Sequence, residues 1–313
     1  MAGVIAGTWK VQLNTRNSVS ELRRHFPSSK WNVPVMLLAV LLLPSWFAWA
    51  NDGRIDDQLK ADYAGKTLTL RHFYSGEHLR FHSDGTLQGD APVGPWTLDG
   101  QIAVEEIHVL DGLLVIKGRR IYLIFDSQLK PQDELTTIGN YSGKLREDTE
   151  KTLRGRKAEI EIELSGEKLD EKDVSSVIHT VFLTDSESMM DIVPSYWRAY
   201  FAKQEGKPAP PVKGPMYYSF KPGSGMSLPH ATYSPDPEYS PDAQELKYQG
   251  TVVINLIADA SGTTRDLQIR KPLGLGLDER AIAAVSTWKF EPVQKDGKPV
   301  SIVLDIEVNF HLY

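Results

Sequence analysis

The sequence predicts a multidomain α+β protein, on three observations. Asp111-Gly112 separates two alternating apolar runs, the signature of an antiparallel hairpin. Val174, Val177, Ile178, Val181 and Phe182 recur at helical spacing and build one apolar stripe. The last quarter reads strand, strand, helix, strand, which lays a helix on one face of an antiparallel sheet. The expected organisation is an N-terminal extension with an export segment at 1–50 and a small antiparallel β domain at 51–129. An α+β domain at 130–205, a Pro/Gly-rich linker at 206–235 and a ββαβ domain at 236–313 follow.

Within 1–50, residues 34–50 are mostly apolar, with Arg23, Arg24 and Lys30 ahead of them and Ala48-Trp49-Ala50 at the end. Positive residues, an apolar run and an A-x-A site are the parts of a secretory signal. The unbroken run at 35–43 falls short of the roughly 20 residues that cross a bilayer. Cleavage after Ala50 and a periplasmic location are therefore expected, with a retained inner-membrane anchor as the alternative. A start near Val19 or Leu22 would give the signal an ordinary length. The chain has no cysteine, which excludes a disulfide framework, cysteine-ligated zinc and a thiol nucleophile. A net charge of −6 lacks the basic footprint of a nucleic-acid binder.

In 51–129, residues 66–74 alternate, with Leu68 and Leu70 on one face. Ser83-Asp84-Gly85 reads as a tight turn after 78–81, and Asp111-Gly112 supplies the positive φ angles of a type I′ turn. Short strands at this spacing suggest a small barrel or sandwich. In 130–205, the charge-dense stretch 144–157 reads as a solvated connection. Residues 158–164 follow as a half-buried strand, Ile160, Ile162 and Leu164 opposing Glu159, Glu161 and Glu163. Thr184-Asp-Ser-Glu187 has capping-box form and should open a helix that Pro194 ends or kinks. Tyr196, Trp197, Tyr200 and Phe201 are expected to bury against a strand, a binding surface being the other option.

His72, Glu77, His78 and His82 are the best metal candidates. Positions four apart on a strand lie about 13 Å from each other, too far for one coordination sphere, so no metal site is expected. No G-x-S-x-G, H-E-x-x-H or G-x-x-x-x-G-K pattern occurs, and no catalytic residue, cofactor or enzyme activity is expected.

Prolines and glycines crowd the linker. Beyond it, Pro241 suits the first turn of a short helix ending near Tyr248. Residues 250–259 read as a strand with Val252, Ile254, Leu256 and Ala258 on one face, and Ser261-Gly262 turns it back into 263–270. Leu277, Ala281, Ala284, Val285 and Trp288 form a helix stripe. Residues 301–313 then alternate Ile302, Leu304, Ile306, Val308, Phe310 and Leu312 against Asp305, Glu307, Asn309 and His311.

Six short motifs stand in order across this last segment. They are Tyr239-Ser-Pro-Asp-Ala243, Gln249-Gly250-Thr-Val252, Asp259-Ala-Ser-Gly262, Gly276-Leu-Asp278, Trp288-Lys-Phe290-Glu-Pro292 and Val308-Asn309-Phe310. Together they resemble the C-terminal domain of the TonB family of periplasmic energy transducers. The resemblance implies that Gly250 and Gly262 are structural, Gly262 taking the turn, that Trp288 and Phe290 anchor the helix exit, and that Pro292 stops the helix. It also implies a cell-envelope binding module that takes an extended segment of an outer-membrane transporter onto a sheet edge by β-strand addition. On that implication Asp305, Glu307, Asn309, Tyr239 and Gln249 are the partner-binding residues, and an inner-membrane motor complex supplies energy. The long Glu-Pro/Lys-Pro spacer of such transducers is missing. The alternative is a periplasmic scaffold or accessory protein that forms a homodimer or docks without energy transduction.

Overall fold

The structure, a computed structural model, describes residues 52–133, 156–165, 170–211, 217–219 and 225–312. The expected export segment with Ala48 and Ala50, and most of the charge-dense connection, lie outside the described residues.

The N-terminal half comprises α1 (Asp52–Tyr63), β1 (Thr67–Thr69), β2 (His78–Phe81), β3 (Leu87–Gln88), α2 (Trp96–Asp99), β4 (Gln101–Leu110), β5 (Leu113–Arg120), β6 (Leu123–Phe125) and β7 (Pro131–Asp133). It continues with β8 (Lys157–Glu163), α3 (Glu171–Val181), α4 (Met189–Ile192) and α5 (Ser195–Gln204). The expected hairpin joins β4 to β5, with Asp111 at φ 49° and Gly112 at φ 77°. One sheet runs in the order β1-β4-β5-β8-β2-β3. β8 lies between β5 and β2, antiparallel to one and parallel to the other, so the expected boundary at 129/130 does not separate two sheets. Its alternation explains the insertion. Ile160 and Ile162 are fully buried on one face, while on the other Glu161 meets Arg80 and Glu159 meets Lys117.

α1 is a helix inside the segment expected to be an antiparallel β domain, where the sequence predicts no element before residue 66. Its Ile55 and Leu59, four residues apart, bury against β4, and Asp56 accepts the Val109 N–H at 2.8 Å. α3 forms as its stripe requires, Val174, Ile178 and Val181 being buried and Asp170 and Asp173 making a reciprocal capping box. The box at Thr184 opens no helix. Glu187 does accept from the Thr184 N–H, but two N–H groups of Arg71 also hold its carboxylate, at 2.7 and 2.6 Å. α4 starts instead behind Ser188, whose Oγ accepts the Met190 N–H, and Pro194 caps α5. Trp197, Tyr200 and Phe201 are core residues, packed edge-on around Trp96 and Phe125.

The C-terminal half comprises β9 (Tyr218–Ser219), β10 (Ala231–Tyr233), α6 (Pro241–Glu245), β11 (Gly250–Ala258), β12 (Thr264–Lys271), α7 (Leu277–Val285), β13 (Lys289–Phe290), β14 (Gln294–Lys295), β15 (Lys298–Pro299) and β16 (Ile302–Phe310). Its sheet runs β12-β11-β16-β9, and α7 covers the face carrying Val252, Ile254 and Leu256. β9 and β10 fall inside the expected linker.

Gly262 takes the turn at φ 82°, and a Cβ there would stand 1.8 Å from the Phe290 carbonyl oxygen. The expectation for Pro292 fails. α7 ends at Val285, where the Ser286 and Thr287 hydroxyls donate to the Ala283 and Ala284 carbonyls. Pro292 lies beyond β13, and Trp288 is outside the helix.

The halves share their cores. Leu98, Tyr122 and Ile124 bury in the C-terminal cluster, Ile269 buries in the N-terminal one, and α5 packs on β12. At the seam Leu275 donates its N–H to the Leu123 carbonyl at 3.0 Å, and a Cβ on Gly274 would stand 2.2 Å from that same oxygen.

Candidate functional site

β16 pairs with β11 without a break, from Gly250 opposite Phe310 to Ala258 opposite Ile302. On its other side only Ile302 and Val303 have a neighbour among the described residues, the short parallel strand β9. Tyr218 donates its N–H to the Ser301 carbonyl at 2.9 Å, so the backbone of residue 301 points toward this edge. Backbone groups alternate sides along a strand, which directs those of Asp305, Glu307 and Asn309 outward as well. Among the described residues, no strand lies beside this row of N–H and C=O groups. β12, the other edge strand, is the one that packs against α5.

The side chains of the same three residues are exposed on the face away from the core. Asn255 donates to Asp305 at 2.7 Å, Thr251 donates to Asn309 at 2.6 Å, and Glu307 stands opposite Val253. The cross-strand bonds hold two side chains flat on β11, as paired polar residues do on a solvated face. Beneath them Leu304 and Ile306 are half-buried.

Tyr239 and Gln249 sit elsewhere. The Tyr239 ring lies edge-on to Phe310 at 5.3 Å behind the sheet, its hydroxyl is buried without a partner, and burial pushes its pKa up. The Gln249 Oε1 accepts the Leu312 N–H at 3.3 Å and ties down the end of β16. Gly250 lets Leu273 approach, for a Cβ would stand 2.6 Å from Leu273 Cδ1. The Trp288 indole N–H donates to the Pro235 carbonyl at 3.1 Å, holding the chain that leads into α6, and Phe290 is buried.

A second polar group, missed in the sequence, lies along the seam around a cleft of ≈ 680 Å³. Arg156 donates to both oxygens of Asp242 at 2.6 Å and lies 4.9 Å over the Tyr122 ring, whose hydroxyl also donates to Asp242. Burial, then the Asp242 charge, pushes the Tyr122 phenol up. The buried Arg120 donates to the carbonyls of Asp99, Tyr74 and Gly76, and burial lowers its pKa against the pull of Asp99. Trp197 donates its indole N–H to Glu279 Oε1 at 2.9 Å, while Oε2 is buried without a partner. Burial pushes the Glu279 carboxyl up to about 7, the Trp197 bond opposing. Burial and the neighbouring Glu279 charge also raise Asp278, although the N–H groups of Leu273 and Gly274 donate to it.

The cations and anions of the seam largely answer each other, which makes it a staple between the halves. A lone Arg or Asp in a charged stretch gives no sign of such pairing, and the burial of Asp278 and Glu279 was not read from the sequence either. His78 and His82 lie beside Glu159 and Glu163 of β8. Among the described residues no group of three or more His, Asp or Glu is placed to hold a metal ion.

Residues 235–312 match the family model of the Gram-negative bacterial TonB protein C-terminal. Over these residues the chain is similar to a TonB C-terminal domain. Protein tonB2 of Pseudomonas aeruginosa is 33% identical over 82 residues, 25% of this chain and 30% of that protein. Protein TonB of Vibrio cholerae is 34% identical over 77 residues, 24% of this chain and 32% of that protein. The matches thus span under a third of either relative. The solution NMR structure of the Pseudomonas aeruginosa TonB CTD aligns with a TM-score of 0.23 at 20% identity, over 29% of this chain and 93% of that one. TonB family proteins are transport energy transducers of the cell envelope, not enzymes.

Proposed function

We propose that this chain is a cell-envelope protein whose TonB domain captures an extended segment of an outer-membrane transporter by adding it as a strand beside β16. The supporting observation is the outward row of backbone groups from Asp305 to Asn309, unpaired among the described residues. Affinity comes from main-chain hydrogen bonds, and selectivity from side chains on alternating sides of the added strand. In this reading the chain faces the periplasm, either freed by cleavage after Ala50 or held by residues 34–50 in the inner membrane, where a motor complex could drive it.

A chain without cysteine allows a clean test. Asn309→Cys is expected to form disulfides in living cells with cysteines placed along the periplasmic segment of a transporter, in a fixed register. Lys298→Cys, on the β14–β15 hairpin, serves as control. Equal trapping at both positions refutes strand addition.

A second reading, a periplasmic scaffold without energy transduction, is favoured by the seam. A domain sharing its core with the N-terminal half is not a free module on a tether. The mature N-terminus separates the two: Asn51 in the soluble fraction supports the scaffold, and an intact 34–50 tract in the inner membrane supports the transducer.

A further inference from the structure

β9 occupies part of the edge that the proposed partner would use. Its two residues pair in parallel with Ile302 and Val303, through the Tyr218 N–H bond to the Ser301 carbonyl. The Lys295 ammonium lies 4.2 Å over the Tyr218 ring, so the β14–β15 hairpin clamps the strand from outside. The contact is too short to be a strong structural element. A two-residue strand adds one or two backbone bonds, and its own Ser219 and the preceding Tyr217 are exposed. The sequence also limits its growth, since Pro222 has no N–H to continue a ladder.

We infer that β9 is an internal competitor for the β16 edge, a piece of this chain's own linker that an incoming strand must displace to pair along the whole of β16. The inference rests on the strand-addition reading above. With β9 seated, the open edge starts at Leu304 and offers the outward groups of Asp305, Glu307 and Asn309. With β9 released, Ser301 and Val303 join the row and the edge lengthens by one pleat. A partner that exploits all of it must do so at the expense of the linker, so occupancy of the edge and position of the linker are coupled. Residues 206–235 join the two halves of the chain. Binding at the sheet edge is thereby reported to the connection between them.

The test uses the full chain and an acetylated, amidated Thr-Val-Thr-Val-Thr-Val-Thr peptide as a generic strand, with binding read by fluorescence polarisation. Tyr218→Pro removes the N–H bond to Ser301, and Lys295→Ala removes the clamp without touching the β9 backbone. Either change is expected to raise peptide affinity, about three- to tenfold for Tyr218→Pro, as loss of one competing backbone bond or two allows. Glu307→Pro removes an outward N–H while sparing the β11 ladder, and is expected to weaken binding in every background. Unchanged affinity in Tyr218→Pro and Lys295→Ala, with Glu307→Pro still weakening it, overturns the competitor and leaves strand addition standing. Indifference to Glu307→Pro overturns both.

Discussion

Replacing Glu279 by glutamine should reduce the protein's loss of stability between mild acid and mild alkali. The carboxyl has an ordinary value of 4.5 and is pushed up to about 7 in the fold, because one oxygen is buried without a partner beside α5. A raised carboxyl means that the folded protein holds a proton which the unfolded chain has released. Its contribution is therefore complete below 4.5 and is lost as pH climbs through 7. At 1.36 kcal/mol per unit, the full loss is about 3 kcal/mol. Glu187, Glu163, Asp84 and Glu205 move the other way, downward, so what they contribute is lost only in stronger acid. The interval from pH 5 to 8 thus isolates Glu279 and its neighbour Asp278. The substituted glutamine would still accept the Trp197 N–H, and its amide, buried without an acceptor, costs about 1–3 kcal/mol at every pH. Urea melts at pH 5, 6, 7 and 8, followed by tryptophan emission, should show the parent losing stability steadily and Glu279→Gln losing it with a shallower slope, the part set by buried Asp278 remaining. Parent stability that is flat or rises over that interval refutes the burial of a proton at the seam, as does an unaltered slope in the variant.

Gly262→Ala should cost at least about 2 kcal/mol, combining a left-handed backbone with a methyl driven into the Phe290 carbonyl, and thermal unfolding checks it. Leu256→Ala empties a fully buried site in the C-terminal core and should cost about 2–5 kcal/mol in the same assay. Asp242→Ala strips Arg156 and Tyr122 of their shared acceptor, and should cost about 2 kcal/mol with faster hydrogen exchange on both sides of the seam.

Periodicity carried the reading where an element was long and faced one core. β16, β11 and α3 appear where their alternation or stripe put them, because the side-chain period alone decides which face is buried. α1 was missed since Ile55 and Leu59 are its only strongly buried apolar anchors in a charged segment. The capping box at Thr184 misled because Arg71, remote in sequence, claims the carboxylate that would have capped a helix. β8 was read correctly as a strand but assigned to another domain, for nothing local in Ile160 and Ile162 says which strands flank them. The residues expected to face a partner divide on the same ground. Asp305, Glu307 and Asn309 share the outward phase of one strand, which a sequence displays. Gln249 closes on the chain end and Tyr239 on Phe310, contacts between segments far apart in sequence.

The unbroken pairing of β16 with β11 has a mechanical side. A strand bonded beside β16 and pulled along its own length would load the ladder in shear, so that nine cross-strand pairs resist together instead of opening one at a time. From β11 the load passes to β12 and across to α5, and tension applied at the edge is borne by the N-terminal half of the molecule before any loop is stretched.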